Sequence, residues 1–162
     1  MNDLPHHYKV AGVGPLTGRV SLLSTGAPYL ATSAPPEFGG PGDMWSPETL
    51  LTGAVASCFV LTFRAVARAA SLSFVELRCD VDGTLDRIDG GLRFTTFALR
   101  VHLTVHPGCN VEEARALLLK AERGCLISRS LSAPVTIEAE VTVDNTLPRA
   151  TEPPRAPGFS SR

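Results

Sequence analysis

Ser46-Pro47-Glu48-Thr49-Leu50-Leu51-Thr52-Gly53-Ala54-Val55-Ala56-Ser57-Cys58-Phe59-Val60-Leu61-Thr62-Phe63 decides how the rest of the chain must fold. Its start carries the marks of a helix N-terminus. Ser46 can cap, Pro47 suits the first helical position, and Glu48 sets negative charge against the positive end of the helix dipole. Leu50, Leu51, Ala54, Val55, Cys58, Phe59, Thr62, Ala65, Val66 and Ala69 then recur at helical spacing. The opposite face, with Ala56, Leu61 and Phe63, is apolar too until Arg64. A helix apolar on nearly all sides belongs inside a fold, so this one is expected to be central and buried. It is also hard to hide in one small subunit, which points to a homodimer.

Outward from it the chain reads as strands. Before it, Tyr8–Val13, Val20–Leu23 and Tyr29–Thr32 form a short meander that ends in the breaker-rich loop Ala34–Gly42. After it, Val75, Leu77, Cys79, Val81 and Leu85 alternate with Glu76, Arg78, Asp80, Asp82 and Asp86. Asp89-Gly90-Gly91 is a hairpin turn, and Phe97, Leu99, Val101, Leu103 and Val105 return as an inner face. Asn110 caps a second helix with the inner stripe Val111, Ala114, Leu117, Leu118 and Ala121, which runs out at Gly124-Cys125. Val135–Val143 alternates as a last strand. Half-apolar strands need one face covered, and the apolar helix is the element available to cover them. The expected fold is α+β, with largely antiparallel sheets packed on a long apolar central helix. One domain over residues 1–144 and a Pro-rich, disordered tail over 145–162 complete the organisation.

Composition narrows function. The 44% hydrophobic and 19% charged content is that of a folded globular protein. Fifteen basic residues against sixteen acidic ones, scattered in both signs, leave no basic stripe for a nucleic acid or an anionic membrane. The uncharged run from Thr49 to Phe63 is short for a bilayer, and the first residues lack a signal-peptide pattern. Four cysteines without a secretory signal indicate a reducing compartment, and the cytoplasm is the expected location. No CxxC or Cys/His ligand cluster is present, so neither a metal nor another cofactor is expected.

Cys58 and Cys125 lie far apart in the chain, each where an amphipathic segment turns a small apolar face inward. A thiol pair brought together only by the fold is what reversible oxidation requires, since one sulfur is attacked by an oxidant and the other closes the disulfide. Buried free cysteines are also common as plain core filler. Cys79, on an inner strand face, reads as filler. Cys109, in a turn, and the four histidines read as surface residues.

At Ser46-Pro47-Glu48-Thr49-Leu50-Leu51 with Ala56-Ser57-Cys58, and at Gly124-Cys125-Leu126-Ile127-Ser128-Arg129-Ser130-Leu131, the chain resembles the OsmC/Ohr superfamily. The order of elements over roughly residues 8 to 143 is similar as well. The resemblance implies an intertwined homodimer with two sites at the subunit interface. It implies a thiol peroxidase that acts on organic hydroperoxides in oxidative-stress defence and is regenerated by a dithiol reductant of the lipoyl type. By position Cys58 matches the peroxidatic cysteine and Cys125 the resolving one. Glu48 and, in the N-terminal strand region, Arg19 match the glutamate and arginine that hold the reactive thiolate. One position departs from the family, because Leu126 stands where proline usually follows the second cysteine. An alternative reading is a redox-responsive or fatty-ligand-binding module with the same fold and no significant turnover.

Straight-helix geometry constrains this site. Ten residues of helix rise about 15 Å, so Glu48 and Cys58 meet only through a break after Glu48, through a bend, with Gly53 as the weak point, or across a dimer.

Overall fold

A computed structural model describes residues 3–146. The chain divides into two compact units whose boundary falls between Ala54 and Val55, inside the long helix. The expected tail lies, from residue 147 onward, outside the described residues.

In the first unit, β1 (Ala11–Val13), β2 (Val20–Leu23) and β3 (Leu30–Thr32) form an antiparallel meander, as the sequence indicates. Past a short 3₁₀ turn at Pro36–Phe38, the chain returns so that Ser33 N–H donates to the Trp45 carbonyl at 3.0 Å. The helix α1 (Pro47–Ala69) begins there. Ser46 caps it, its hydroxyl accepting from Thr49 N–H at 3.2 Å. Thr49 Oγ1 reciprocates by accepting from Ser46 N–H at 2.8 Å, which makes a capping box with threonine in the glutamate's usual place.

α1 runs unbroken through Gly53, so of the alternatives that the sequence leaves open the break is absent. A β-carbon added at Gly53 would lie 3.4 Å from the Trp45 ring, so glycine serves close packing there. The expectation of a helix buried on every side also fails within one chain. Only the single stripe Val55, Phe59, Phe63 and Ala67 is buried, and Leu61 is 58% exposed. At 23 residues α1 is long and apolar enough to cross a membrane by length and composition alone, yet that stripe is fully packed against protein.

The second unit holds the larger sheet, β4 (Phe74–Ile88), β5 (Gly91–Val105) and β6 (Val135–Val143), in that order. β4 and β5 form an antiparallel hairpin turned by Asp89 and Gly90, both at positive φ, a region that aspartate tolerates and glycine enters freely. β5 buries Phe97, Leu99, Val101, Leu103 and Val105 as the alternation indicates. The sheets are largely antiparallel, as expected, and β6 is the exception, because it pairs with β5 in parallel. The crossover that allows this is α2 (Val111–Gly124) with the short α3 (Leu126–Ser130). Asn110 Oδ1 caps α2, accepting from Glu112 and Glu113 N–H at 3.0 and 3.2 Å, and Ala114, Leu118 and Ala121 are its buried residues.

Register shifts correct the reading of β4. Between Phe74 and Glu76 the pairing skips Val75, so Phe74 faces in and Val75 is 41% exposed. A second irregularity after Thr84 leaves Leu85 36% exposed.

A candidate thiol active site

Cys58 lies on α1 one turn before Thr62, whose hydroxyl is 3.9 Å from the sulfur. Cys125 occupies the break between α2 and α3, in extended conformation (φ −68°, ψ 114°), and is fully buried. As the N-cap of α3 it makes no side-chain capping bond. The first amides of α3 are therefore free to serve another acceptor. That acceptor is Cys58. Burial pushes the Cys58 thiol up, but hydrogen bonds from Ile127 N–H, the Cys125 thiol, the Thr62 hydroxyl and Leu126 N–H together hold it below its ordinary value. Burial is also the largest influence on Cys125. The neighbouring Cys58 adds to it, and against the Ser128 hydroxyl and amide the Cys125 thiol ends above its ordinary value.

The fold thus brings together two free thiols that a long stretch of chain separates, with one poised to ionise and its neighbour held protonated. Interacting thiols titrate as a pair, and the first proton lost is shared mainly from the Cys58 side. The resemblance implies an arginine for the thiolate, and within the second unit every group that lowers Cys58 is a neutral donor. The available clue was the Gly124-Cys125 helix end, which leaves unpaired amides immediately after the cysteine.

Cys79 sits on the inner face of β4 opposite Val101, and burial pushes its thiol up to about 11, consistent with its reading as filler. Cys109 is half-buried, its sulfur 3.8 Å from the Ser73 carbonyl. His102 lies on the outer sheet face between Glu140 (3.3 Å) and Thr142 (3.2 Å). The Ser130 hydroxyl donates to the Leu126 carbonyl at 2.8 Å. Ser128 Oγ is buried without a partner of ordinary geometry and leans toward Cys125. Among the described residues no His/Cys/Asp/Glu group could hold a metal ion.

Glu48 and Arg19 belong to the first unit. Glu48 lines an apolar cleft of about 390 Å³ with Val20, Leu22, Pro35, Phe38 and Leu50. Its Oε2 is buried there without a hydrogen-bond partner. An unpaired buried carboxylate oxygen is costly, and it marks a place where a donor is needed. Phe38 therefore lines a cleft, whereas Trp45, 51% exposed, packs on Gly53. Arg19 stands in an exposed pair with Asp43 at 3.9 Å, too loose and wet to commit the guanidinium.

The family model for OsmC-like protein matches residues 40–140. The chain belongs to the OsmC-like family. It is 25% identical over 142 residues to the uncharacterized protein YmaD of Bacillus subtilis (strain 168), covering 85% of this chain and 95% of that one. To the peroxiredoxin OsmC of Escherichia coli (strain K12) it is 28% identical over 96 residues, 59% of this chain and 66% of the relative. Among solved structures, an organic hydroperoxide resistance protein OsmC from Legionella pneumophila superposes with a TM-score of 0.68 at 27% identity, over 87% of this chain and all of that one. This membership carries a redox role of the peroxidase kind, and the mixed α+β architecture is that of OsmC and Ohr structures.

Leu126 tests the amide account directly. It is 72% exposed and opens α3, where proline is favoured, and the extended Cys125 before it tolerates a following proline. Leu126→Pro should therefore keep the fold and delete one N–H from Cys58. The Cys58 thiolate fraction at neutral pH should fall about two- to tenfold, the range one net hydrogen bond supplies. The pH dependence of its alkylation by iodoacetamide, followed by mass spectrometry, reads this. A profile that matches Leu126→Ala would show that the amide is not an activator.

Proposed function

We propose that the protein is a thiol peroxidase that reduces organic hydroperoxides to alcohols in the cytoplasm, as a defence against oxidative stress. The observation that carries this is the adjacent thiol pair, lowered at Cys58 and raised at Cys125. Cys58 thiolate attacks the terminal peroxide oxygen. The O–O bond breaks, an S–O bond forms, and the departing alkoxide takes a proton to become the alcohol. The Cys125 sulfur then attacks the sulfenic acid, water leaves, and a Cys58–Cys125 disulfide closes. A dithiol restores both thiols.

Glu48 and Arg19 complete this reading. In this reading the Glu48 carboxylate is supplied to the thiol by a second copy, in the intertwined homodimer that the family resemblance implies. Its unpartnered oxygen in an apolar cleft suits the O–H of a hydroperoxide whose alkyl part fills the cleft. Arg19 adds positive charge for the thiolate. The homodimer also accounts for α1, whose most apolar eighteen-residue window is only 22% buried in one chain.

Steady-state turnover of cumene hydroperoxide with dithiothreitol tests the proposal, and sustained consumption is the expected result. One equivalent consumed, followed by a stable disulfide that dithiothreitol leaves intact, would replace the peroxidase by the redox-responsive module.

A further inference from the structure

Thr62 stands one helical turn after Cys58 on α1, half-buried, in the second unit. A threonine inside a helix has a default partner for its hydroxyl, the carbonyl four residues back. Thr52, on the same helix, takes that partner and donates to the Glu48 carbonyl at 2.9 Å. Thr62 departs from the default. Among the described residues its hydroxyl has one hydrogen-bond partner, the Cys58 sulfur at 3.9 Å.

We propose that Gly124, at the end of α2, and Thr62 form a positioning pair for the reactive thiol: the bare glycine admits the Thr62 methyl, and the methyl so held keeps the hydroxyl on the Cys58 sulfur. The inference rests on the peroxidase reading for what the thiol attacks, and it adds how the fold aims one of the thiol's donors.

The geometry of Gly124 carries the second half of the argument. A β-carbon added there would meet one atom beyond its own helix and its chain neighbours, the Thr62 methyl at 3.5 Å. That is ordinary contact for a single carbon. A β-branched side chain, with carbons in two of the three directions beyond it, would press on the methyl. Helical side chains lean toward the N-terminus, so the branches of Thr62 reach back over Cys58. Methyl and hydroxyl share one carbon, and fixing one in its rotamer fixes the other. The rotamer with the methyl against Gly124 is the one that holds the hydroxyl at the sulfur. Burial works against the Cys58 anion, and the Thr62 hydroxyl is among the donors that outweigh it. Unlike the Ile127 and Leu126 amides, this donor depends on which residues stand at 62 and 124.

The test reads the thiol without any hydroperoxide. Alkylation of Cys58 by iodoacetamide in the reduced, full-length protein is followed against pH by mass spectrometry. Thr62→Val keeps the shape and removes the donor, so the thiolate fraction at neutral pH should fall about two- to tenfold. Thr62→Ser keeps the hydroxyl without the methyl, which frees it to turn to the Cys58 carbonyl, and should fall between. Gly124→Val should behave as Thr62→Val does, whereas Gly124→Ala should keep the wild-type profile. The double variant Thr62→Val/Gly124→Val should fall no further than either alone, since both remove the same interaction. A wild-type profile in Thr62→Val would overturn the donor, and one in Thr62→Ser the role of the methyl. Additive losses in the double variant would overturn the pairing with Gly124. Hydroperoxide turnover by wild type is measured separately, and its absence beside the expected alkylation shifts would remove the peroxidase and leave the positioning pair standing.

Discussion

Cys58→Ser is expected to reduce hydroperoxide consumption to the uncatalysed background, while Cys125→Ser consumes about one equivalent and stalls. The asymmetry follows from the environments of the two sulfurs. Cys58 receives the amides of Ile127 and Leu126, so its anion is the stabilised one. A serine hydroxyl there stays protonated near neutral pH and is a poor nucleophile toward peroxide. Cys125, fully buried and raised by burial and by Cys58, waits as a thiol until Cys58 has become a sulfenic acid. In Cys125→Ser the new hydroxyl can still donate to Cys58, so the first attack survives and only resolution is lost. The sulfenic acid would then accumulate, trappable by dimedone, or climb to sulfinic acid with excess oxidant. Full multiple turnover in both single variants would remove the paired-thiol mechanism. Loss of the first turnover in Cys125→Ser would show that Cys125 is needed to ionise Cys58, not merely to resolve it.

Much of this was legible in the chain, for identifiable reasons. β5 is central, with partners on both sides, so its alternation from Phe97 to Val105 maps onto burial without interference. α2 shows its cap at Asn110 and its stripe because both are local signals. β4 misleads at its start, since a bulge inserts one residue and shifts the phase, and nothing in Phe74-Val75-Glu76 announces it. The parallel pairing of β6 is a property of topology, and alternating strands read alike in either direction. α1 is apolar all round, yet one chain buries only one stripe of it, because a sequence pattern reports the whole need for cover and not who supplies it. At the site, residue types named both thiols. Two of the four donors that lower Cys58 are main-chain N–H groups, which every residue but proline carries and which therefore leave no mark in the sequence.

The largest expected effect on folding is at Phe63. Its ring is fully buried, with its centroid 5.3 Å from that of Phe74 and the planes inclined at 60°, a favourable tilted aromatic contact. Phe63 belongs to the stripe with Val55, Phe59 and Ala67, and Phe74 is the residue that the β4 bulge turns inward. The contact therefore fastens the end of α1 to the start of β4. Leu72 N–H closes the same corner onto the Ala67 carbonyl at 2.9 Å. Phe63→Ala removes the ring, leaves a cavity that the Phe74 ring cannot fill without leaving its own position, and should cost about 3–5 kcal/mol. For a chain of this length that lowers the melting temperature by roughly 6–20 °C, at 2–4 °C per kcal/mol. Phe63→Leu keeps most of the volume and should cost less than half as much. Thermal melts at one fixed protomer concentration measure this, since association would otherwise shift the midpoint. A loss below about 1 kcal/mol in Phe63→Ala would mean that the corner is held elsewhere. Near-normal alkylation of Cys58 in the folded fraction would place Phe63 with the scaffold and not with the thiol.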